Sequence, residues 1–376
     1  MDDDDVHQGE ESKASSPVQN RSSRRFSGIT GVRRPSALTS AGPIVQSLRR
    51  ATSWVLGRRD SNVPTDVPSK RISNGSLPPI TVDSLRHEPK AFLSVRCGGA
   101  SLRGYRHKVN EDTLCIEANV VDGAQEAGQE SWGFAAVFDG HAGSGCSTYL
   151  QTALLQEVKR KLGEEVALIG LGSLEGEEWK RLVRNVLIDS FVRTDEEFLR
   201  LAGMSRDPSG ACAVACLVKG GSVVVSHVGD CAVILIVREP APHAVRLTRD
   251  HNFRNSGEVI RVTSLGGSII NDRLGGKLQP FRAFGDYEFK TNTGGLTVRP
   301  DTIEQNVSSS NCLLLCSDGV TAYMSDQEIA EFVCFSLAEE GDDPARAASA
   351  LVTHVSKIKH GLDDASAVLL VFDEVR

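Results

Sequence analysis

GACAVACLVKGGSVVVSHVGDCAVILIVR, residues 210–238, decides the architecture. Three apolar, β-branched runs (210–218, 222–228 and 232–238) are separated only by Lys219-Gly220-Gly221 and Gly229-Asp230-Cys231. Such short links cannot carry a parallel crossover, so successive strands must fold back as antiparallel hairpins. Working outward, WGFAAVF (132–138), NCLLLCSDG (311–319) and SAVLLVFD (366–373) have the same character, and TLCIEA follows Glu111-Asp112. Helical periodicity lies between the strands. TYLQTALLQEVKRKL (148–162) places Leu150, Leu154, Val158 and Leu162 on one stripe, and residues 177–201 form a long amphipathic pattern. SDQEIAEFVCFSL (325–337) opens with a Ser325/Glu328 capping box, and Asp343-Pro344 starts a last helix. The pattern predicts an α+β fold, antiparallel sheet with helices packed outside, rather than a doubly wound one.

The chain has 376 residues, 42 Lys+Arg against 49 Asp+Glu, and a formal net charge of −7. That acidity argues against a nucleic-acid binder. No long apolar run of transmembrane length occurs, and MDDDDVHQGEE lacks the basic and apolar regions of a secretory signal. Nine cysteines, with no Cys-x-x-Cys, sit partly inside apolar runs such as ACAVACLV and CLLLC. They read as reduced, buried thiols rather than disulfides or a zinc site.

The charge is unevenly spread: residues 1–90 carry +4 and residues 91–376 carry −11. Residues 21–59 hold nine arginines and no acid, and residues 1–90 hold 15 Ser and 8 of the 14 Pro. Such a segment buries too little apolar surface to offset its chain entropy, so 1–90 is expected to be a disordered Arg/Ser-rich tail and 91–376 one domain. Within it RRFS, RRPS, RRDS and KRIS end at Ser27, Ser36, Ser61 and Ser73. Paired guanidinium groups before Ser suit the acidic pocket of a basophilic kinase, which makes these four candidate phosphosites. Any Arg/Ser-rich stretch also yields such matches by chance. IVQSLRRATSWVL (44–56) has the spacing of a basic amphipathic helix for a membrane surface or partner, or is simply a less polar patch. The basic composition resembles a transit peptide, but the chain opens with four aspartates, so the expected location is cytoplasmic, with nucleus or mitochondrion as alternatives.

Apolar strands run straight into Asp-Gly or Gly-Asp at Asp139, Asp230, Asp286 and Asp318, while Asp363-Asp364 precedes the last strand and Glu111-Asp112 an early one. A single Asp-Gly is commonly a turn. Several carboxylates converging at one rim repel each other, and only cations offset that. Oxygen-only ligation suits Mg²⁺ or Mn²⁺. His141, two residues after Asp139, either donates a proton to a leaving group or orients a carboxylate, while His251 reads as a loop anchor. No GxSxG occurs, so a hydrolytic nucleophile triad is not supported.

The order NED, VFDGHAG, GACAV, VSHVGD, LTRDH, RAFGD, CSDGV and GLDDASAVLL, from Gly98 to Phe372, resembles the metal-dependent protein phosphatases of type 2C. QPFRAFGD (279–286) looks most like their pyruvate-dehydrogenase-phosphatase branch. The resemblance implies a four-layer α/β/β/α sandwich with two metal ions at one edge. By motif, Glu111, Asp139 and the carbonyl of Gly140 would bind one ion, and Asp139, Asp318 and Asp364 the other. A water bridging the ions would attack phosphorus, with His141 as the acid and no cysteine as nucleophile. Phosphoproteins would be the substrates, and a monomer is expected.

Departures from the family pattern are visible. His107 stands where an Arg commonly holds the substrate phosphate, with Arg106 the candidate replacement beside it. Ala322 replaces an acidic residue of a third metal site, leaving Asp230 as its candidate ligand. Ala365 replaces an Asn, GDCA lacks the Arg of GDSRA, and Gly210-Ala211-Cys212 replaces Gly-Ser-Thr. The alternative function is a weak or inactive phosphatase-like scaffold that binds phosphoproteins. Retention of Glu111, Asp139, Asp318 and Asp364 favours the active enzyme.

Overall fold

The computed structural model describes residues 93–121, 132–169, 175–358 and 360–374. The expected tail 1–90, its serines 27, 36, 61 and 73, and the 44–56 segment lie outside the described residues. In chain order the elements are β1 (Leu93–Leu102), β2 (Thr113–Glu117), β3 (Trp132–His141), α1 (Gly145–Ile169), α2 (Gly176–Ser205), β4 (Gly210–Lys219), β5 (Ser222–Val228), β6 (Ala232–Val237) and β7 (His243–Arg246). There follow α3 (Ser256–Ser264), β8 (Ile269–Ile270), β9 (Arg273–Leu274), β10 (Phe284–Gly285), α4 (Tyr287–Asn292), β11 (Asp301–Asn306) and β12 (Asn311–Cys316). The chain continues through α5 (Asp318–Thr321), α6 (Asp326–Glu339), α7 (Pro344–Thr353) and β13 (Ala365–Glu374).

Two antiparallel sheets form. One runs β1-β13-β12-β6-β7, and the other β11-β5-β4-β3-β2 with β10 against the end of β4. Of the two hairpins expected from the short links, one forms: β4 pairs β5 across Gly220-Gly221 with Lys219 opposite Ser222. The next link, Gly229-Asp230-Cys231, instead carries the chain from one sheet to the other. The central strands use both faces, as β3 shows. Phe134, Ala136 and Phe138 of β3 pack with Leu150, Leu154, Val158 and Leu162 of α1 and Trp179 of α2. The alternate residues Ala135 and Val137 pack with Val233, Leu313, Leu315 and Val368 of the opposite sheet. Burial of both faces explains why these strands read as continuous apolar runs without polar alternation. Helices α6 and α7 cover the outer face of the five-stranded sheet, which completes the four layers expected from the family resemblance.

The predicted helix starts hold. Ser325 and Glu328 make the reciprocal capping box of α6, and the Asp343 side chain accepts from the amides of Ala345 and Arg346 at the start of α7. A third small core, Val262, Leu274, Leu278 and Phe281, supports the excursion between β7 and β11 that carries the RAFGD motif. Among the described residues no helix is long and apolar enough to cross a membrane, and all nine cysteines are unpaired.

Candidate active site

Three carboxylates meet where the two sheets end together. Asp139 lies near the end of β3, Asp230 in the link between sheets, and Asp318 at the first turn after β12. Their oxygens all lie within 4.8 Å of one another. Asp230 is buried while Asp139 and Asp318 are half-buried. Among the described residues no Lys, Arg or His forms an ion pair with any of the three. Asp230 accepts from the Gln279 amide at 3.1 Å, and Asp139 from the backbone N–H of Asp318 at 3.4 Å. Removal from water is the main cause that raises the Asp139 carboxyl well above its usual range, and repulsion from Asp112, Asp318 and Asp230 adds to it. Asp318 is pushed up to about 8, first by burial and then by Asp230 and Asp363. An uncompensated, all-oxygen cluster of this kind fits a hard divalent cation, which would remove both penalties.

Close backbone approach builds this rim. A Cβ at Gly140 would sit 2.3 Å from the Glu111 carbonyl oxygen, so glycine alone lets the loop before β2 reach the end of β3. A Cβ at Gly319 would lie 1.8 Å from the Asp364 carbonyl oxygen, which brings the start of α5 against the start of β13.

Asp364 is nearly fully buried and its oxygens are engaged by the preceding loop. One accepts from the N–H of Gly104 at 2.7 Å, the other from the N–H of Glu111 at 2.7 Å, with His107 Nδ1 at 2.9 Å. Burial lowers the basicity of His107, but Asp364, Asp363 and Glu111 outweigh it and leave the pKa raised.

His141 Nε2 lies 2.9 Å from Asp286 Oδ2. Asp286 is buried and left-handed (φ 54°), held by its N–H to the Ser209 carbonyl. The buried pair Asp195–Lys290, at 2.6 Å, grips the preceding turn through the Gly285 N–H and the Ala283 carbonyl. A Cβ at Gly210 would fall 2.3 Å from Asp286 Oδ2 and 2.5 Å from His141 Nε2, so this glycine makes room for the pair. Burial pulls the His141 pKa down, yet the hydrogen bond and charge of Asp286 leave it raised. The arrangement sets an imidazole that could give up a proton two residues from Asp139, in a cluster that could hold a cation.

A family model described as Protein phosphatase 2C matches residues 95–360. The chain belongs to the protein phosphatase 2C family. It is 27% identical over 352 residues to "Probable protein phosphatase 2C 57" of Oryza sativa subsp. japonica, which covers 90% of this chain and 86% of the relative. It is 28% identical over 287 residues to "Protein phosphatase 1B" of Bos taurus, covering 74% of this chain and 57% of that protein. Among solved structures, the serine-threonine phosphatase 2C from Toxoplasma gondii aligns with a TM-score of 0.63 at 22% identity, over 74% of this chain and 94% of that one, which is a likeness of fold. This type 2C phosphatase is thus a metal-dependent protein serine/threonine phosphatase with phosphoprotein substrates. The pyruvate-dehydrogenase-phosphatase resemblance rests on QPFRAFGD alone.

Of the residues singled out in the sequence of the phosphatase, Asp139 and Asp318 come together as expected, but the third member of their cluster is Asp230 rather than Asp364. Gly140 and Glu111 adjoin through backbone, and the charge of Glu111 reaches both His141 and His107. Arg106 is exposed and its N–H is bound to the Leu362 carbonyl at 2.8 Å. Two of the acids named from the sequence have roles there that the reading did not assign. Asp112 is 5% exposed beneath the rim, is pushed up to about 7 first by burial, and leaves Oδ2 without a hydrogen-bond partner. Its signal was adjacency to Glu111 in NED. Asp286 stood among the strand-end acids, but its pairing with His141 depends on tertiary contact.

His251 is the expected loop anchor. Its Nδ1 accepts from the Gly229 N–H at 3.2 Å, its Nε2 lies 3.1 Å from Asp301 Oδ2, and its carbonyl accepts from Phe281 N–H at 2.7 Å. His227, His251 and Asp301 also bring ligand atoms within 4.8 Å. However, the two rings stack at 4.5 Å and 12° between planes. Their nitrogen lone pairs lie in those near-parallel planes and do not converge, and Nδ1 of His251 is already an acceptor, so Nε2 carries the proton. The cluster is structural.

Proposed function

We propose that this phosphatase hydrolyses phosphoserine and phosphothreonine directly, without a phosphoenzyme. The observation that carries this is the trio of uncompensated carboxylates beside the His141–Asp286 pair. Divalent ions, Mg²⁺ or Mn²⁺, supply the activation of water and the neutralisation of phosphoryl charge when bound. Glu111, Asp139 and the Gly140 carbonyl would hold one ion, and Asp139, Asp318 and Asp364 a second. Asp230, beside Asp139 and Asp318, would serve a third ion or complete the second.

His141 donates its proton to the serine or threonine oxygen as that oxygen departs. Asp286 fixes the ring and keeps it protonated until transfer. His107 holds Asp364 in place, which leaves exposed Arg106 to meet the phosphate. The buried cysteines, with thiol pKa values raised by burial, take no part.

Around this chemistry we place a monomeric, cytoplasmic enzyme whose segment 1–90 is a kinase target at Ser27, Ser36, Ser61 and Ser73, and whose catalytic domain is residues 91–376. A catalytically silent phosphoprotein-binding scaffold is the competing reading. The test is hydrolysis of p-nitrophenyl phosphate by the full chain with Mn²⁺, with Mg²⁺ and with excess EDTA. Turnover that needs metal and disappears with chelator supports the enzyme; a folded protein inert at every metal concentration supports the scaffold.

A further inference from the structure

Residues 101–110, the end of β1 and the loop after it, contain Arg103, Arg106 and Lys108 and no acid, within a stretch from residue 91 onward that carries −11. All three basic side chains are exposed. Beside them Tyr105 is 66% exposed, Val109 63% and Leu362 49%, an unusual density of bare apolar surface for one loop and its neighbour. This surface is built onto the active site. Tyr105 N–H donates to the Gly361 carbonyl and Arg106 N–H to the Leu362 carbonyl. Gly104 N–H, His107 and Glu111 N–H all converge on Asp364. A Cβ at Gly104 would lie 2.2 Å from the Asp363 carbonyl, and the Tyr323 hydroxyl accepts the Leu362 N–H at 2.7 Å. The rim therefore cannot shift without moving Asp364.

We propose that this rim docks the residues flanking the phosphorylated side chain of a substrate, and that it selects segments with acidic and apolar neighbours over arginine-rich ones. The inference rests on the phosphatase reading of the same site. A phosphate seated at the carboxylate trio brings its neighbouring residues over this loop. Acidic neighbours meet Arg103 and Lys108, and apolar neighbours cover Tyr105, Val109 and Leu362. Arginine neighbours meet like charge, which is a rejection as well as a lost attraction. The chain's own Arg-Arg-x-Ser segments carry the wrong charge for this surface.

The test uses the full chain with Mn²⁺ and fluorescent peptides bearing a non-hydrolysable phosphoserine mimic, read by anisotropy. The peptides differ only in the residues next to the mimic: Glu with Leu, Glu with Gly, or the Arg-rich sequence of residues 31–40. The expected Kd of the Glu/Leu peptide is about tenfold below that of the Arg-rich peptide at low salt, shrinking in 0.5 M NaCl, and about fivefold below Glu/Gly. Lys108→Glu should reduce the first ratio about threefold, and the double change Tyr105→Ser with Val109→Ser should abolish the second. Each ratio is internal to one variant, so a general loss of binding cancels. Ratios near one, or a preference for the Arg-rich peptide, overturn the rim. p-Nitrophenyl phosphate hydrolysis in the same preparation separates the two readings. Ratios as expected without ester hydrolysis keep the rim and sink the phosphatase, while hydrolysis with flat ratios sinks the rim alone.

Discussion

His141 and Asp286 sit 2.9 Å apart. If His141 protonates the leaving oxygen, its value depends on how poor the leaving group is. His141→Ala should lower kcat on a phosphoserine peptide about 100-fold, and on p-nitrophenyl phosphate far less, because nitrophenolate leaves without a proton. Asp286→Ala should show the same asymmetry in weaker form; equal losses on both substrates would count against the proton-donor role. Asp139→Asn should abolish metal-dependent turnover while raising the melting temperature measured in EDTA, since it removes one of three mutually repelling carboxylates. A lower melting temperature in EDTA would contradict the repulsion argument. Asp139 and Asp318 were legible because each ends an apolar run beside glycine. Asp112 and the partner of His141 were not, because their roles arise from contacts between segments far apart in the chain.

At the scale of elements, glycine positions and caps carry the testable content. Gly140→Ala forces a Cβ to within 2.3 Å of the Glu111 backbone carbonyl, which cannot yield as a side chain could. The expected cost is about 2 kcal/mol or more, read by urea denaturation, with metal affinity lost alongside. Ser325→Ala, by contrast, should cost about 1 kcal/mol through the α6 capping box and leave turnover alone. Of the strands that were legible, β3, β4, β5, β6, β12 and β13 are sandwiched on both faces, while β2 lies at an edge. The ones that were not have weaker patterns for physical reasons. β11 (DTIEQN) is a polar edge strand, and β1 (LSVRCGGASL) is an edge strand whose glycines let α7 approach: a Cβ at Gly98 would lie 2.2 Å from the Ala345 nitrogen. Helix α3 is short and owes its place to the small core beneath it.

For the molecule as a whole, the network joining α3, β11 and the RAFGD segment sets acid tolerance. Arg282 pairs with Glu258 at 2.6 Å and with Asp301 at 2.7 Å, and Asp301 also meets His251. The hydrogen bond from His251, helped by Arg282, holds the Asp301 carboxyl below its usual 3.8 despite burial. Burial raises Glu258, but Arg282 and Arg261 bring it below its usual 4.5. Both groups are thus easier to ionise folded than unfolded. Their stabilisation is present above about pH 4.5 and is lost as pH falls through their folded values. Asp301→Asn should flatten the fall in melting temperature below about pH 4 while lowering the plateau near pH 7; an unchanged acid limb would count against the network. Saturating Mn²⁺ should raise the melting point, with about 2.7 kcal/mol expected at 100 times the Kd.

Asp139 belongs to one sheet, Asp318 follows a strand of the other, and Asp230 lies on the chain as it crosses between them. A cation bound there would clasp the open mouth of the sandwich, and the far end, where Lys219 faces Ser222 in a tight hairpin, would have no part in it. Mechanical integrity should then be lopsided. Chelation should accelerate amide hydrogen exchange around residues 229–232 and 317–321 and leave 217–224 unchanged, so the enzyme without metal would gape at one end while staying shut at the other.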